Sequence, residues 1–253
     1  MRSFAGTRYW LVGASEGLGR ALAQRLSAAG AEVIVSARNE ERLVELVEGL
    51  PGKASYQVMD VTDQASVDAA VAAVGPVDGM VYLAGVYWPM PVESWDGAQS
   101  VQMSEINYTG AVRAVTATLP EMMKRNAGHI VLTGSLAGFR GLPGAAAYGA
   151  SKAAVMHLAE SLYADLRRTG VDIQVVNPGF IKTRLTAKND FAMPMILEVD
   201  DAADRMFAHM FTDRFKCNFP WAFGAMFRLC QFLPDWAYYG LMRGKAAPQD
   251  DHH

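Results

Sequence analysis

Apolar runs of strand length alternate with segments of helical spacing over about the first 180 residues. YWLVGA (9–14) leads into a stretch from 17 to 30 in which Leu18, Ala21, Leu22, Arg25 and Leu26 fall at helical spacing. EVIVSA (32–37) is the second run, and Asn39 then heads a helix carrying Leu43, Leu46 and Val47. SYQVMD (55–60) precedes a helix around 63–73, and DGMVYLAG (78–85) gives a fourth strand. A long helical region covers roughly 95–126, GHIVLTGS (128–135) is the fifth strand, a helix covers about 145–169, and VDIQVVNPG (171–179) is the sixth strand. Runs that are apolar throughout belong to strands covered on both faces. Strand–helix alternation with connections of this length implies right-handed crossovers between parallel strands. The pattern predicts an α/β chain, a doubly wound parallel sheet in a single domain, with its core over 7–183.

After Thr183 the alternation stops. Met193, Pro194, Met195 and Ile196 lie in an irregular apolar stretch at the start of a segment that covers about 184–212. Within it Asp200 reads as the N-cap of a helix to about 211, with Asp201 and Asp204 in the first turn. Met206, Phe207, Met210 and Phe211 sit at helical spacing and read as core. An aromatic-rich tail covers 213–253.

Composition narrows the class. Of 253 residues, 51% are hydrophobic and 19% charged, enough for a sizeable core and against disorder. The 23 Lys and Arg against 26 Asp and Glu leave no basic excess to neutralise phosphates, so a nucleic-acid partner is not expected. Cys217 and Cys230 make no disulfide framework, and the N-terminal segment reads as a strand rather than a secretion signal. A reducing, cytoplasmic location follows. The densest apolar stretch, 217–242, is interrupted by Pro220, Arg228, Pro234 and Asp235, which argues against a membrane span. His129 and His157 lack a metal-ligand pattern, and no metal is expected.

Chemistry enters at the ends of the strands. Gly13, Gly17 and Gly19 close the first strand and open the first helix, where glycines permit a tight turn and backbone N–H groups can approach a pyrophosphate. The spacing is G-x-x-x-G-x-G rather than the general dinucleotide fingerprint. The second strand ends in Ser36-Ala37-Arg38, which lacks the carboxylate that would repel a 2′-phosphate and supplies a guanidinium suited to one. Glu16 works the other way, adding negative charge beside the cofactor. The balance favours NADP(H) over NAD(H).

Tyr148 and Lys152 stand four residues apart on a helix and so share a face. A free tyrosine supplies little phenolate at neutral pH, and a neighbouring cation favours that form. Ser135, at the carboxyl end of the fifth strand, lies where doubly wound sheets place their ligand crevice.

With Gly13, Gly17, Gly19, Asp60, Asn107, Ser135, Tyr148, Lys152 and Pro178-Gly179 in this order, the chain resembles the short-chain dehydrogenase/reductase family over about 7–183. The resemblance implies a Rossmann-like fold and an oxidoreductase interconverting a secondary alcohol and a ketone. It implies that Tyr148 is the general acid/base, that Ser135 orients the substrate oxygen, that Lys152 binds the nicotinamide ribose and lowers the Tyr148 pKa, and that Asn107 holds a relay water. It implies further cofactor contacts at Ser15, Leu18, Asp60, Val61, Ala84, Gly85, Pro178, Gly179 and Thr183. Val12 stands where the family usually has Thr, and Tyr82-Leu83 where it usually has Asn-Asn; the polar groups lost there normally brace the cofactor site.

The resemblance implies that the loop after Gly179 closes over the substrate, with a lid across about 184–212. An apolar or lipid-like small-molecule substrate is expected from Phe180, Leu185, Phe191, Met193, Met195 and Ile196 in that loop, Phe139 and Leu142 ahead of Tyr148, and Val86, Tyr87 and Trp88. A 3-oxoacyl-thioester reductase is an alternative, compatible with Arg140, Lys182 and Arg184 as a docking patch for a carrier protein. A non-catalytic nucleotide-binding or scaffold protein is another, suggested by Val12, Tyr82 and Leu83. The resemblance implies a homodimer or homotetramer formed through the helices of 95–126 and 145–169. The tail reads as subunit packing, as a wall of the substrate pocket, or, as the minor reading, as a peripheral membrane contact.

Overall fold

The computed structural model describes residues 2–189 and 193–243. Its strands are β1 Arg8–Val12, β2 Glu32–Ala37, β3 Ala54–Val58, β4 Gly79–Tyr82, β5 Gly128–Thr133, β6 Val171–Pro178 and β7 Lys216–Phe219. All pair in parallel, in the order β3-β2-β1-β4-β5-β6-β7. The helices are α1 Gly17–Ala28, α2 Glu40–Glu48, α3 Gln64–Val74, α4 Gly97–Ser104, α5 Gly110–Arg125, α6 Ala146–Leu166, α7 Val199–Met210, α8 Trp221–Cys230 and α9 Asp235–Arg243. The doubly wound parallel sheet is present, and its strand order reverses between β1 and β4.

Successive residues of a strand face opposite sides, and each side is covered by helices. Trp10, Val12, Met80, Ile130 and Ile173 pack with Val67 of α3, Ala114 of α5 and Val155 of α6. Tyr9, Leu11, Val33, Val131 and Val176 pack with Leu22 and Leu26 of α1 and with Met206 and Met210 of α7, so the methionines at helical spacing are core. β3 departs from the expectation of burial on both faces: it is the edge strand, and Tyr56 and Val58 are exposed.

One further expectation is refined and two are corrected. The region 95–126 is helical from Gly97 to Arg125, with a π-helical turn, Glu105–Thr109, between α4 and α5. The strand alternation does not end at Thr183, because Lys216–Phe219 adds a seventh strand against β6. Asp200 is not an N-cap: Glu198 occupies that position, while Asp200 lies in the first turn of α7 and, with Asp204, pairs with Arg25 of α1. Asn39 does cap α2, accepting from the Arg42 amide at 2.8 Å. No helix among the described residues is long and apolar enough to cross a membrane.

Candidate active site

The glycines after β1 are fixed by close approach. At Gly13, φ +91°, a Cβ would lie 2.3 Å from the Ala84 nitrogen, in the loop after β4. A Cβ at Gly19 would lie 2.4 Å from the Gly13 carbonyl oxygen, and Gly17, φ +54°, faces the Thr183 side chain at 3.3 Å. Each position therefore demands glycine for a left-handed backbone, for space, or for both. No side chain caps α1, which leaves its first amides available to an anion. Ser15 lies half-buried in the same turn, and Leu18 packs onto the core. This cradle sits at the reversal between β1 and β4, where such sheets take up a dinucleotide.

The charges around it are arranged differently from the sequence reading. Glu16 does not project a bare negative charge: Arg42 lies 2.9 Å from its carboxylate and Arg184 2.7 Å. Arg38 is exposed at the end of β2. Burial works upward on the nearby Asp60 carboxyl, but the amide and hydroxyl of Thr62 and the charges of Arg38 and Arg113 outweigh it, holding the group below its ordinary value. Val12 needs no polar side chain to hold the loop after β4, because its carbonyl oxygen accepts from the amides of Leu83, at 2.7 Å, and Ala84, at 2.9 Å.

Ser135, Tyr148 and Lys152, the residues expected to handle the proton, meet on the other side of β4. Ser135 stands just beyond β5 and starts a single 3-10 turn, accepting from the Ala137 amide at 3.2 Å. Tyr148 is in the first turn of α6 with Lys152 one turn on, its Nζ 5.9 Å from the phenol ring centroid. Lys152 is buried, and Nζ donates to the Thr133 carbonyl oxygen at 2.9 Å. Loss of hydration brings its pKa down to about 8. Burial pushes the Tyr148 phenol up, and the Ser135 hydroxyl beside it works downward. The Tyr87 ring meets the Tyr148 ring edge-on at 4.8 Å.

Asn107 lies in the π turn and is fully buried. Its Oδ1 accepts from the Val86 amide at 2.8 Å, while Nδ2 donates to the Val86 carbonyl and to Ser151 Oγ, each at 3.0 Å. Ser151 in turn donates to the Tyr148 carbonyl oxygen at 2.8 Å. Asn107 thus ties the loop beyond Gly85 to the helix that carries Tyr148 and Lys152. A Cβ at Gly85 would lie 3.4 Å from Asn107 Oδ1 and 3.6 Å from Lys152 Nζ, so Gly85 borders the same small space.

The apolar side of the crevice extends beyond the residues singled out from sequence. Leu136, Phe139, Leu142 and Phe180 pack with Phe223 and Phe227 of α8. Gly179 gives these rings room, since its Cβ would lie 3.0 Å from Phe223. Phe223 and Phe227 belong to the tail that the sequence offers as one wall of a pocket, and their four-residue spacing is the helical signal that singles them out. Above them the chain beyond Ile181 returns through a bridge to Leu197, and Lys188 reaches the Tyr87 carbonyl at 3.2 Å. Leu185 and Met193 are half-buried there, Met195 and Ile196 are exposed, and Phe191 lies outside the described residues.

The three basic residues beside the crevice are engaged internally. Arg140 bonds the carbonyls of Cys230 and Leu233 and the Asp235 carboxylate, and it stacks over Tyr238; Lys182 pairs with Glu198 and Arg184 with Glu16. Arg140 therefore anchors the tail.

Comparison with known proteins agrees with this geometry. Residues 9–193 match the short chain dehydrogenase family. An oxidoreductase of Myxococcus xanthus is 36% identical over 234 residues, covering 89% of this chain and 92% of that protein. The 3-oxoacyl-acyl-carrier-protein reductase FabG of Salmonella typhimurium is 33% identical over 193 residues, 73% of this chain and 77% of that one. Among solved structures, a variant of actinorhodin polyketide ketoreductase with NADPH superimposes with a TM-score of 0.78 at 26% identity, covering 88% of this chain and 99% of the other.

Proposed function

The chain belongs to the short-chain dehydrogenase family, and from that premise we propose that it is an NADP(H)-dependent oxidoreductase that interconverts a secondary alcohol and a ketone on an apolar substrate. The observation that carries the reading is the meeting of Ser135, Tyr148 and Lys152 beside the glycine cradle, with Asn107 bonded behind them. The cradle fits the cofactor: Gly13, Gly17 and Gly19 with Ser15 and Leu18 would hold the pyrophosphate, Asp60 and Val61 the adenine, and Ala84, Gly85, Pro178, Gly179 and Thr183 the nicotinamide half. Arg38 would face the 2′-phosphate, and Glu16 would not oppose it, because two arginines neutralise that carboxylate.

Bound NADPH supplies the hydride. The protein handles the proton. Tyr148 Oη gives its proton to the carbonyl oxygen in reduction and takes it back from the alcohol in oxidation. Ser135 Oγ hydrogen-bonds the same substrate oxygen and keeps it in line with the phenol. Lys152, its Nζ 5.9 Å from the ring centroid, would hold the ribose hydroxyls and through them bring its charge to the phenolate. Leu136, Phe139, Phe180, Phe223 and Phe227 exclude water and accept an apolar body. A 3-oxoacyl thioester is the second reading, favoured by the identity to FabG and weakened by the internal pairing of Arg140, Lys182 and Arg184.

The test is NADPH oxidation over a panel of apolar ketones, small sugars and a 3-oxoacyl thioester. Apolar ketones are expected to lead, and a strong preference for small sugars sinks the substrate class. Tyr148→Phe should keep NADPH binding by fluorescence and lose turnover by about 10²- to 10⁴-fold. Unchanged turnover refutes the mechanism.

A further inference from the structure

The tyrosine that ends β4 makes a contact that the proton-transfer scheme does not use. Tyr82 is buried, and its hydroxyl donates to the Ile106 carbonyl oxygen at 2.5 Å. That carbonyl lies inside the π turn. In an unbroken α-helix it would accept from the Gly110 amide, but this amide donates instead to Glu105. A buried carbonyl released from its helical partner needs another donor, and the phenol supplies it. Burial keeps that phenol protonated and hence a donor.

The surroundings are shaped to admit the ring. A Cβ at Gly110 would lie 2.4 Å from Tyr82 Oη and 2.9 Å from the Val61 side chain, so any larger residue at 110 would drive the hydroxyl off. Arg113 steadies the same turn from its outer side, bonding the Glu105 carboxylate and the Val61 carbonyl, each at 3.1 Å. The next residue in the turn is Asn107, with its bonds to Val86 and Ser151.

We propose that Tyr82 is a positioning residue for the reaction: its hydroxyl holds open the π turn that presents Asn107 to the loop at Val86 and to α6. The inference rests on the proposed oxidoreductase activity. It turns an apparent loss of bracing, a phenol where the family usually has an amide, into a brace of greater reach.

Tyr82→Phe removes the one oxygen and leaves the ring. Hydrogen exchange of the amides from 105 to 111 should rise about tenfold while β1 and β5 keep their protection. With the best ketone of the panel, kcat should fall about tenfold at unchanged KM and unchanged NADPH affinity. In an Asn107→Ala background the same change should add no further loss, because Tyr82 acts through Asn107. Gly110→Ala, which crowds the hydroxyl from the other side, should reproduce the exchange signature, so one misfolded variant does not decide the matter. Unchanged exchange, unchanged kcat, or a second full loss in the Asn107→Ala background overturns the inference. If Tyr148→Phe leaves turnover intact, the proton-transfer reading falls instead, and the exchange data still decide whether Tyr82 holds the turn.

Discussion

At both ends of the sheet a tyrosine meets a basic side chain inside the protein, and the two meetings are finished differently. At the amino end, Tyr9 hydrogen-bonds His129 Nδ1 at 2.8 Å, and His129 Nε2 meets the Gln174 side-chain oxygen at 3.0 Å. The Gln174 amide donates to the carbonyls of Thr212 and Arg214 at 2.7 and 3.0 Å. Tyr9 reaches His129 across β4 because Gly79 has no side chain; a Cβ there would lie 2.1 Å from the ring. Tyr9, His129 and Gln174 are each bonded to the next, with Arg2 3.3 Å from His129 Nε2, and the one orphan beside them among the described residues is the buried Nε2 of His209. At the carboxyl end, the Lys152 ammonium has three N–H groups and one hydrogen bond among the described residues. The buried Thr133 Oγ1 and Asn177 Oδ1 have no partner there. A polar network that closes on itself locks the fold, whereas one with valences left over remains able to bind and react.

Four experiments would break or sharpen this contrast. The largest effect is expected at the open end. Lys152→Met should lower kcat by about 10²- to 10³-fold. It should also raise stability at pH 7 by up to about 3 kcal/mol, since the ammonium is held near pKa 8 when folded against about 10.5 when unfolded. Measuring kcat and the unfolding midpoint on the same preparation checks it, and a less stable variant would erase the contrast. Gly79→Ala strikes the closed end. It should cost about 2–3 kcal/mol by forcing the Tyr9 ring aside, with kcat per folded molecule unchanged.

Acid comes next. Burial lowers the His129 pKa to about 3, so below about 6.5 the unfolded chain takes up a proton that the folded protein refuses. Stability from this residue is complete above about pH 6.5 and is lost as pH falls toward 3, reaching about 2 kcal/mol at pH 5. Urea denaturation at pH 7 and pH 5 measures it, and His129→Gln should shrink the difference by that amount. Tyr9→Phe is the mildest: about 1 kcal/mol of stability with no change in kcat. A loss of turnover there would mean that the two ends are coupled.

The sequence was informative wherever one local signal determined the outcome. Five of the first six strands, β1, β2, β4, β5 and β6, are runs whose apolar character comes from burial, and the exposed edge strand β3 follows from its place in the alternation, so the strand sequence and the doubly wound class could be read directly. Gly13, Gly17 and Gly19, and Tyr148 with Lys152, were legible because loop spacing and helical periodicity fix which residues face together. β7 was not, because a four-residue strand of Lys, Cys, Asn and Phe has no pattern of its own and exists only by pairing with β6. The π turn was equally hidden. No Pro or charge run in Glu105–Thr109 marks it, and the phenol that engages its Ile106 carbonyl comes from Tyr82, at the end of β4 and 24 residues away. The same distance hid the true state of Glu16, whose partners Arg42 and Arg184 lie 26 and 168 residues away.

The wall formed by α8 hangs from the last strand of the sheet, and that strand is joined to the rest on one side only. Phe223 and Phe227 are therefore borne by a different part of the chain from Ser135 and Tyr148. A change in α8 can reshape the apolar cluster of Leu136, Phe139 and Phe180 while Ser135 and Tyr148, held by β5 and α6, keep their places.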